Sequence, residues 1–419
     1  MKPTDSVSSQ VEAHNRPLLP VAEALQQIRE AIDPIKGNIL CHLKEAYGHI
    51  VANDILSPIA VPGYDNSAMD GYAFHAEDLS DSEAKTLKLI GKSLAGDPFD
   101  GALHPGECVR ITTGAMIPEG TGFVVMQEQT TIDGEQITIQ PEHKIDAHIR
   151  RAGEDIARGG VVFEPGQKIG AAELGLLASL GVSEIEVIRP LRIATFSTGD
   201  ELASLGQPLG EGQIYDSNRY ALYGLIKELG ATHIDMGIIR DTREAVASAF
   251  EEAANIADVV ITSGGVSVGD ADYVKETLER MGAVNFWKIA MKPGKPLAYG
   301  KIGNAWFFGL PGNPVSSMAT YIKIVRPNLE YLAGQSATVP LRLTVKTIDP
   351  LKKRPGRADF QRGILSYEGD ELVVRTTGHQ GSHVLSSMSR ANCFIALSAE
   401  SGSVAAGEMV EVEPFGTTL

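Results

Sequence analysis

Residues 190–330 alternate short apolar runs with amphipathic segments, and this alternation limits the possible folds more than any other feature. Four runs have the length and composition of strands: Leu191–Phe196, Ile234–Ile239, Val259–Thr262 and Ala305–Leu310. Four segments have apolar residues at helical spacing: Arg219–Leu229, Glu244–Ile256, Ala271–Met281 and Val315–Val325. Strands that alternate with helices predict a doubly wound α/β domain with a parallel sheet. Ligands of such domains bind where the strands end and the helices begin.

Both flanks of this segment favour β structure. Residues 56–150 contain short β-rich runs separated by Gly and Pro, and Asp133-Gly134 is placed as a hairpin turn. Residues 340–415 have the same character, which predicts a small C-terminal β-barrel domain. A helix is predicted from Pro20 to Ile32, after a loose polar tail at residues 1–15. The chain is therefore expected to be multidomain.

Charge and composition exclude several classes of protein. The 37 Lys and Arg residues against 53 Asp and Glu give a net charge of −16, which argues against nucleic-acid binding. The three cysteines lie far apart, so neither a disulfide framework nor a thiolate zinc site is expected. We find neither a signal-peptide pattern nor an apolar run long enough to span a membrane. We therefore expect a cytoplasmic protein that does not bind membranes.

The strongest ligand-binding signal is the run from Asp258 to Asp272, which we expect to form the core of a pocket. Residues 263–269 place Ser263, Gly264, Gly265 and Ser267 between a strand and a helix, where free backbone N–H groups suit a phosphate or another oxyanion. Asp272 follows shortly, and a carboxylate beside a phosphate loop indicates a bridging Mg²⁺. The alternative is a flexible loop before an acidic helix start.

Three further strand ends carry polar residues, and each also has a purely structural interpretation. Ser197, Thr198, Gly199 and Glu201 follow the first strand and could bind an anion or cap a helix. Residues 287–296 hold three lysines in a turn stiffened by Pro and Gly, which indicates either an anion site or a solvated basic loop. Residues 309–314 shape another strand-to-helix turn, with Pro314 suited to a first helical turn.

Taken in order, these segments resemble the molybdopterin molybdenumtransferase family, the bacterial MoeA family that is also found as the gephyrin E domain. The matching segments are Asp65–Ala73, Ser197–Leu202, Ser263–Gly269, Lys292–Pro296 and Gly309–Pro314. The resemblance covers about residues 18–415. It implies a central α/β domain of the molybdenum-cofactor-biosynthesis type, an N-terminal α+β domain with a β-rich insertion, and a C-terminal β-barrel. The implied boundaries are 16–55 with 151–189, 56–150, 190–335 and 338–419.

The resemblance also implies an activity. Members of the family insert molybdate into adenylylated molybdopterin in a Mg²⁺-dependent reaction that releases AMP and gives molybdenum cofactor. They are elongated homodimers whose site combines one subunit's α/β domain with parts of its partner. The partner proteins implied are molybdopterin adenylyltransferase and molybdoenzyme-maturation proteins.

Site residues can be carried over by position. Glu201, Asp241 and Asp272 are implied to shape the pterin, phosphate and Mg²⁺ site, and Lys288 and Lys292 to hold oxyanions. The remaining implied residues fall into three groups: Asp70, Thr113 and Asp155 from the partner subunit; Arg362 and Ser382 on molybdate; and Ser197, Thr198, Gly199, Ser263, Gly264, Gly265, Ser267, Lys295, Pro311 and Pro314 on the substrate. Two alternatives stay open, an adenylyltransferase that makes the adenylylated pterin from ATP and a non-catalytic scaffold.

Overall fold

The computed structural model describes residues 18–264 and 273–416 of the chain. The predicted site residues Gly265, Ser267 and Asp272 therefore lie outside the described residues, as does the predicted start of a helix at Ala271. The described chain divides into two compact units. The N-terminal unit comprises Leu40–Tyr47 and Val51–Val187, and the main unit holds Gly48–Ile50 and the described residues up to 39 and from 188 onward. The domain boundaries predicted above stay predictions.

Short strands dominate the chain up to residue 188. In chain order the elements are α1 (Val21–Ala31), β1 (Asn38–His42), β2 (Ile50–Val51), β3 (Ile55–Leu56), β4 (Asn66–Ser67), β5 (Gly71–His75), β6 (Lys85–Ser93), β7 (Glu107–Ile111), β8 (Thr121–Met126), β9 (Thr130–Asp133), β10 (Gln136–Ile139), β11 (Ile149–Arg150), β12 (Val161–Phe163), α2 (Ala171–Ser179) and β13 (Glu184–Ile188). Six strands form the main sheet of the N-terminal unit, in the order β8-β5-β7-β6-β10-β9. The β-rich insertion is thus confirmed.

This sheet follows the alternation of its sequence. Along β5, Tyr72 and Phe74 enter one apolar cluster while Ala73 enters another on the opposite face, as the two-residue period of a strand requires. The hairpin at Asp133-Gly134 is also confirmed, because Asp133 pairs with Gln136 across the turn. Gly134 has a φ of 59°, the left-handed conformation that a tight hairpin turn requires.

The remainder of the chain forms the main unit, together with α1. Its elements are β14 (Arg192–Thr198), β15 (Leu202–Ala203), β16 (Ile214–Tyr215), α3 (Ser217–Leu229), β17 (Thr232–Ile239), α4 (Arg243–Ile256), β18 (Val259–Ser263), α5 (Tyr273–Met281), β19 (Gly282–Lys288), β20 (Met291–Lys292), β21 (Pro296–Ile302), β22 (Ala305–Leu310), α6 (Pro314–Thr320), α7 (Arg326–Leu332), β23 (Leu343–Thr347), β24 (Ala358–Glu368), β25 (Glu371–Thr376), α8 (Leu385–Arg390), β26 (Cys393–Leu397) and β27 (Met409–Pro414). A π-helical turn, Tyr321–Val325, joins α6 to α7.

The central sheet of the main unit has the order β17-β14-β18-β22-β21-β19. The first four strands are parallel, and helices cover both faces. Residues of α1, α3, α6 and α7 pack with Val259 and Ile261 of β18, whereas residues of α4 and α5 pack with Val260 on the other face. The doubly wound α/β prediction is confirmed. The structure adds the antiparallel strands β19 and β21, which prolong the sheet beyond its parallel part.

The C-terminal region is a closed five-stranded barrel. Its strands pair in the order β24-β25-β23-β27-β26, and β26 pairs again with β24 to close the ring. Strand β24 is the longest of the set at 11 residues, and its outer edge also pairs with β20 in parallel. That pairing sets Lys292 beside Asp359 and thereby joins the lysine-rich turn to the barrel. The barrel prediction is confirmed.

No helix among the described residues combines the length and the apolar character needed to cross a membrane.

Candidate functional site

A cleft of about 560 Å³ opens at the carboxyl ends of β14, β18 and β22 in the main unit. This is the edge of a doubly wound sheet at which ligands bind. Its walls come from the strand ends, the lysine-rich turn and the barrel. The lining residues are Thr198, Glu201, Gly264, Lys292, Pro293, Gly294, Lys295, Pro296, Pro311, Gly312, Asn313, Ser316, Arg357, Gln380, Gly381 and Ser382. Seven of the predicted site residues are among them.

The floor of the cleft is formed where β14 and β18 end side by side. The Ser197 and Ser263 hydroxyl oxygens lie 3.1 Å apart, and both side chains are buried. Thr198 and Gly264 follow them into the lining. The helix-cap interpretation of residues 197–201 is wrong, because the chain turns after Gly199 into β15 rather than into a helix.

Asp258 does not belong to the cleft, so the predicted pocket core is too long at its N-terminal end. Asp258 precedes β18, and its carboxylate accepts hydrogen bonds of 2.7 and 2.8 Å from the Arg189 guanidinium and one of 2.8 Å from the Arg192 backbone N–H. Residues that precede a parallel strand lie at the edge opposite its carboxyl end. Asp258 is therefore a structural anchor.

The lysine-rich turn contributes two cations, Lys292 and Lys295, which differ in their surroundings. The Lys292 ammonium lies 3.2 Å from the Asp359 carboxylate, whose side chain is only 5% exposed. Lys295 is exposed and lines the cleft. Lys288 lies at the end of β19, outside the set of lining residues, and its carbonyl oxygen accepts a hydrogen bond from the Leu19 N–H.

The barrel supplies the wall that carries Ser382. Arg362 is 1% exposed and lies behind this wall, where its guanidinium donates 3.1 and 3.2 Å hydrogen bonds to the Ser387 hydroxyl and the Gly381 carbonyl. Burial lowers the pKa of Arg362. The Gln380 amide holds the Arg362 backbone from both sides, accepting from its N–H at 2.8 Å and donating to its carbonyl at 3.0 Å. Arg362 and Gln380 together fix the loop that presents Ser382.

The turn after β22 completes the cleft. Pro311 lines it, and Pro314 begins α6, which confirms its predicted place in a first helical turn. The Asn218 side-chain amide donates a 2.8 Å hydrogen bond to the Gly312 carbonyl, and the Val315 N–H donates one of 3.1 Å to the Ser382 carbonyl. The turn is thus fastened both to α3 and to the barrel loop.

Acidic side chains gather around Asp241. Burial raises the pKa of Asp241, and repulsion from Asp200 and Glu201 raises it further. Glu201 lines the cleft, whereas Asp241 does not appear in its lining. Within residues 18–264 and 273–416, no three His, Cys, Asp or Glu side chains are close enough to hold a metal ion on their own.

Asp70, Thr113 and Asp155 lie in the N-terminal unit. The Thr113 N–H donates a 2.7 Å hydrogen bond to the Asp70 carboxylate, and this bond lowers the pKa of Asp70. Asp155 is exposed, and its N–H donates to the Val61 carbonyl at 3.1 Å. Asp70 and Thr113 therefore form one local pair.

Three barrel residues that the structure places in or beside the cleft were not among the predicted site residues. Arg357, Asp359 and Gln380 all come from the barrel. Asp359 and Gln380 stand in polar runs that the sequence displays. The pairing of β24 with β20 brings Asp359 to the lysine-rich turn, and hydrogen bonds to the Arg362 backbone hold Gln380 beside the same strand. Arg357 carries no local signal other than its position just before a strand.

Comparisons with known proteins match nearly the whole chain. Three family descriptions apply: "MoeA N-terminal region (domain I and II)" at residues 19–181, "Probable molybdopterin binding domain" at 194–331 and "MoeA C-terminal region (domain IV)" at 344–415. A molybdopterin molybdenumtransferase from Haemophilus influenzae is 49% identical and aligns over 90% of this chain and 94% of its own. Gephyrin from Dictyostelium discoideum is 33% identical over 95% of this chain and 62% of its own.

Solved structures agree with these matches. The crystal structure of the molybdopterin biosynthesis moeA protein from Pyrococcus horikoshii OT3 superimposes with a TM-score of 0.83 at 26% identity, covering 95% of this chain and 100% of that chain. A second structure of a molybdopterin biosynthesis moea protein, named as from Pyrococcus horikosii, gives a TM-score of 0.77 at 32% identity, covering 96% and 100%. The chain therefore belongs to the MoeA family of molybdopterin molybdenumtransferases.

Proposed function

We propose that this protein inserts the metal of molybdate into adenylylated molybdopterin and releases AMP. The observation that carries the proposal is the cleft, which combines the cations Lys292, Lys295 and Arg357 with the strand ends of a molybdopterin-binding type of domain. Molybdate is a dianion and the pterin substrate carries a phosphate–phosphate link, so both need cations and N–H donors for binding.

The residues divide the work by position. Thr198, Gly264 and the buried Ser197–Ser263 pair bind the substrate phosphates at the strand ends, the edge at which doubly wound sheets bind their ligands. Lys292 and Lys295 neutralise the oxyanions from the side of the turn. Ser382 binds molybdate from the barrel loop. Arg362 holds that loop in place, because its Nε and Nη2 atoms are already bonded to Ser387 and Gly381.

The acidic side chains fit a Mg²⁺ ion. Burial raises the pKa of Asp241, and repulsion from Asp200 and Glu201 raises it further; a divalent cation would relieve that repulsion. Mg²⁺ in nucleotide sites takes one or two carboxylates together with substrate phosphates. Two protein carboxylates are therefore enough to hold the ion when the substrate is bound. When bound, the ion would neutralise charge on the leaving AMP phosphate. We propose Glu201 and Asp241 as its ligands, with Asp272 as a sequence-based third.

We also propose a homodimer in which Asp70, Thr113 and Asp155 complete the partner's cleft, as the family resemblance implies. Doubly tagged heterodimers of D70A and K292A subunits test this arrangement. Each parent homodimer should be inactive, whereas the heterodimer retains one intact site and about half of the wild-type activity. A heterodimer as inactive as its parents would place all these residues in one subunit's site.

The activity itself is tested by AMP release. Purified protein given adenylylated molybdopterin and Mg²⁺ should release AMP faster when molybdate is added, and K295A should reduce this stimulation. K301A is the matched control, since Lys301 is an exposed lysine of β21 that lies over the Trp306 ring. AMP release that ignores molybdate would overturn the proposal, and ATP consumption with molybdopterin would favour an adenylyltransferase. We place the reaction in the cytoplasm, between the adenylyltransferase and the molybdoenzyme-maturation proteins.

A further inference from the structure

Lys323 is a buried cation outside the cleft that joins the α/β domain to the barrel. It lies in the π-helical turn Tyr321–Val325, which follows α6. Its ammonium forms an ion pair with the carboxylate of Glu413 in β27, and the two side chains are only 12% and 7% exposed. Helix α6 itself begins at Pro314 and places Ser316 in the cleft lining. One short helix therefore connects the cleft to this buried pair.

Lys323 also contacts the strand that shapes the cleft. Its Nζ atom lies 4.8 Å from the centre of the Phe360 ring, within the range of a cation–π interaction. Phe360 is buried in β24, next to Asp359, whose carboxylate lies 3.2 Å from the Lys292 ammonium. Strands β24 and β27 are the two neighbours of β26 in the barrel. Lys323 therefore holds the barrel at two points, through Phe360 and through Glu413.

A charged contact at this place serves position better than stability. Burying two charges costs hydration that their attraction barely recovers, and well-packed apolar residues of similar volume often stabilise a protein as much or more. An apolar contact, however, tolerates sliding, whereas the ammonium must meet a carboxylate and a ring face at the same time. Arg342, which precedes β23, lies 3.2 Å from the other carboxylate oxygen of Glu413 and restrains it further. The pair thus gives the barrel a defined position.

We propose that Lys323 is a positioning residue, which sets the position of the barrel against the α/β domain and thereby the affinity of the cleft for molybdate. Lys323 does not line the cleft. It acts through β24, which carries Asp359 beside Lys292, and through the barrel loop that presents Ser382. The inference rests on the proposed function for the identity of the ligand. A shifted barrel would move the Ser382 wall relative to the strand ends that form the floor of the cleft.

Two variants separate position from stability. K323M removes the lysine charge and leaves the Glu413 carboxylate buried without it, so the melting temperature should fall. K323M/E413M removes both charges, so its melting temperature should return to the wild-type value or exceed it. In both variants the KM for molybdate should rise roughly threefold to thirtyfold with kcat nearly unchanged, the range for residues that act on a ligand site without touching it. K323R keeps the charge and should keep the wild-type KM.

E330Q is the matched control, because Glu330 forms a partly buried ion pair of 2.9 Å with Arg326 inside the single helix α7. It should lower the melting temperature slightly and leave the KM for molybdate unchanged. The proposal is overturned by a wild-type KM in K323M, or by a double variant that recovers both its melting temperature and its KM, because Lys323 then contributes stability alone. It also fails if E330Q raises the KM as much as K323M does.

The position of the barrel can be measured without turnover. Spin labels on E252C/D370C report the distance from α4 to the turn between β24 and β25, and both original residues are exposed. The three native cysteines are buried, so the two introduced thiols are the reactive ones. Pulsed electron paramagnetic resonance should give a broader or shifted distance distribution in K323M and in K323M/E413M. K323R and E330Q should keep the wild-type distribution, and an unchanged distribution in K323M overturns the proposal.

These measurements also separate the inference from the proposed function. If the wild type shows no molybdate-stimulated AMP release, the proposed reaction fails, and the spin-label distances still decide whether Lys323 positions the barrel. If K323M releases AMP normally, with an unchanged KM for molybdate, the reaction stands and the positioning role fails.

Discussion

Asp258 offers a sharp test of how the main unit is stabilised. Its side chain is 12% exposed and accepts hydrogen bonds of 2.7 and 2.8 Å from Arg189. The Arg192 N–H adds a third bond of 2.8 Å. These bonds tie the segment before β14 to the start of β18, so they join two neighbouring strands of the central sheet.

We expect D258N to lower the free energy of unfolding of the main unit by about 3 kcal/mol. Breaking a buried ion pair by removing one partner costs roughly 3–5 kcal/mol, and the lower end applies because Arg189 is 29% exposed and keeps some water. With a urea slope of about 3 kcal/mol/M, the unfolding midpoint should fall by about 1 M. Fluorescence-detected urea unfolding measures this shift.

The stabilisation that the Asp258 carboxylate contributes should decrease at low pH. Burial acts to raise the pKa of Asp258, but the hydrogen bonds from Arg189 and Arg192 outweigh it, so the pKa lies below its ordinary value. An unfolded aspartate titrates near pH 3.9. The stabilisation is therefore fully present above about pH 4 and is lost as the pH falls through the lower folded pKa. The difference in free energy of unfolding between wild type and D258N should be equal at pH 7 and pH 5, and smaller at pH 3.

An exposed ion pair provides the control. Arg243 and Glu276 lie 2.9 Å apart, but their side chains are 51% and 52% exposed. E276Q should therefore change the free energy of unfolding by less than about 0.5 kcal/mol. A stabilising ion pair at Asp258 is refuted if D258N unfolds at the wild-type midpoint, or if its loss of unfolding free energy is the same at pH 3 as at pH 7.

Three further results are expected. D359A should raise the KM for molybdate roughly threefold to tenfold, because Lys292 loses its orientation without the Asp359 carboxylate. D359N should give a KM between those of D359A and the wild type. Steady-state kinetics measure these values, and a change in kcat alone would contradict the prediction. G294A should lower the melting temperature and the activity together, since Gly294 has a φ of +101° and a Cβ there would collide with the buried Thr320 hydroxyl; a wild-type melting curve would contradict it. Cys108 should resist a thiol reagent at pH 8 until the protein unfolds, because burial raises its pKa to about 12. Mass spectrometry of the treated native protein checks this, and a label on Cys108 would contradict it.

The fold was predictable wherever the hydrophobic pattern had a clear period. The strand Ala305–Leu310, for example, occurs with the bounds that the sequence predicts. Strand β24 escaped prediction although it is the longest, since Asp359, Gln361 and Arg362 interrupt its apolar pattern and are buried with polar partners. The antiparallel pair β19 and β21 escaped for another reason: the lysine-rich turn between them indicates a ligand loop and conceals the hairpin.

The site was predictable to the extent that its residues are local to strand ends. Thr198, Gly264 and Pro311 follow predicted strands, and the topology of a parallel sheet brings such ends to one edge. The contributions of the barrel depend on a pairing across more than sixty positions, roughly from Lys292 to Asp359, which no local pattern encodes. Asp258 was misplaced for a different reason: the predicted pocket took in the whole run through β18, although a residue that precedes a parallel strand lies at the edge opposite the ligand.

Strand β24 explains why an anion cleft of this type needs the barrel. It closes the barrel by pairing with β26, extends the lysine-rich turn by pairing with β20, and contains Asp359 and Arg362. One buried side chain orients a lysine and the other supports the loop that carries Ser382. Because both act through the same backbone, a displacement of β24 would move the lysine and the serine walls together. The charge of the cleft and its shape therefore both depend on this strand, and a substitution that loosens the barrel should weaken oxyanion binding even when it touches no lining residue.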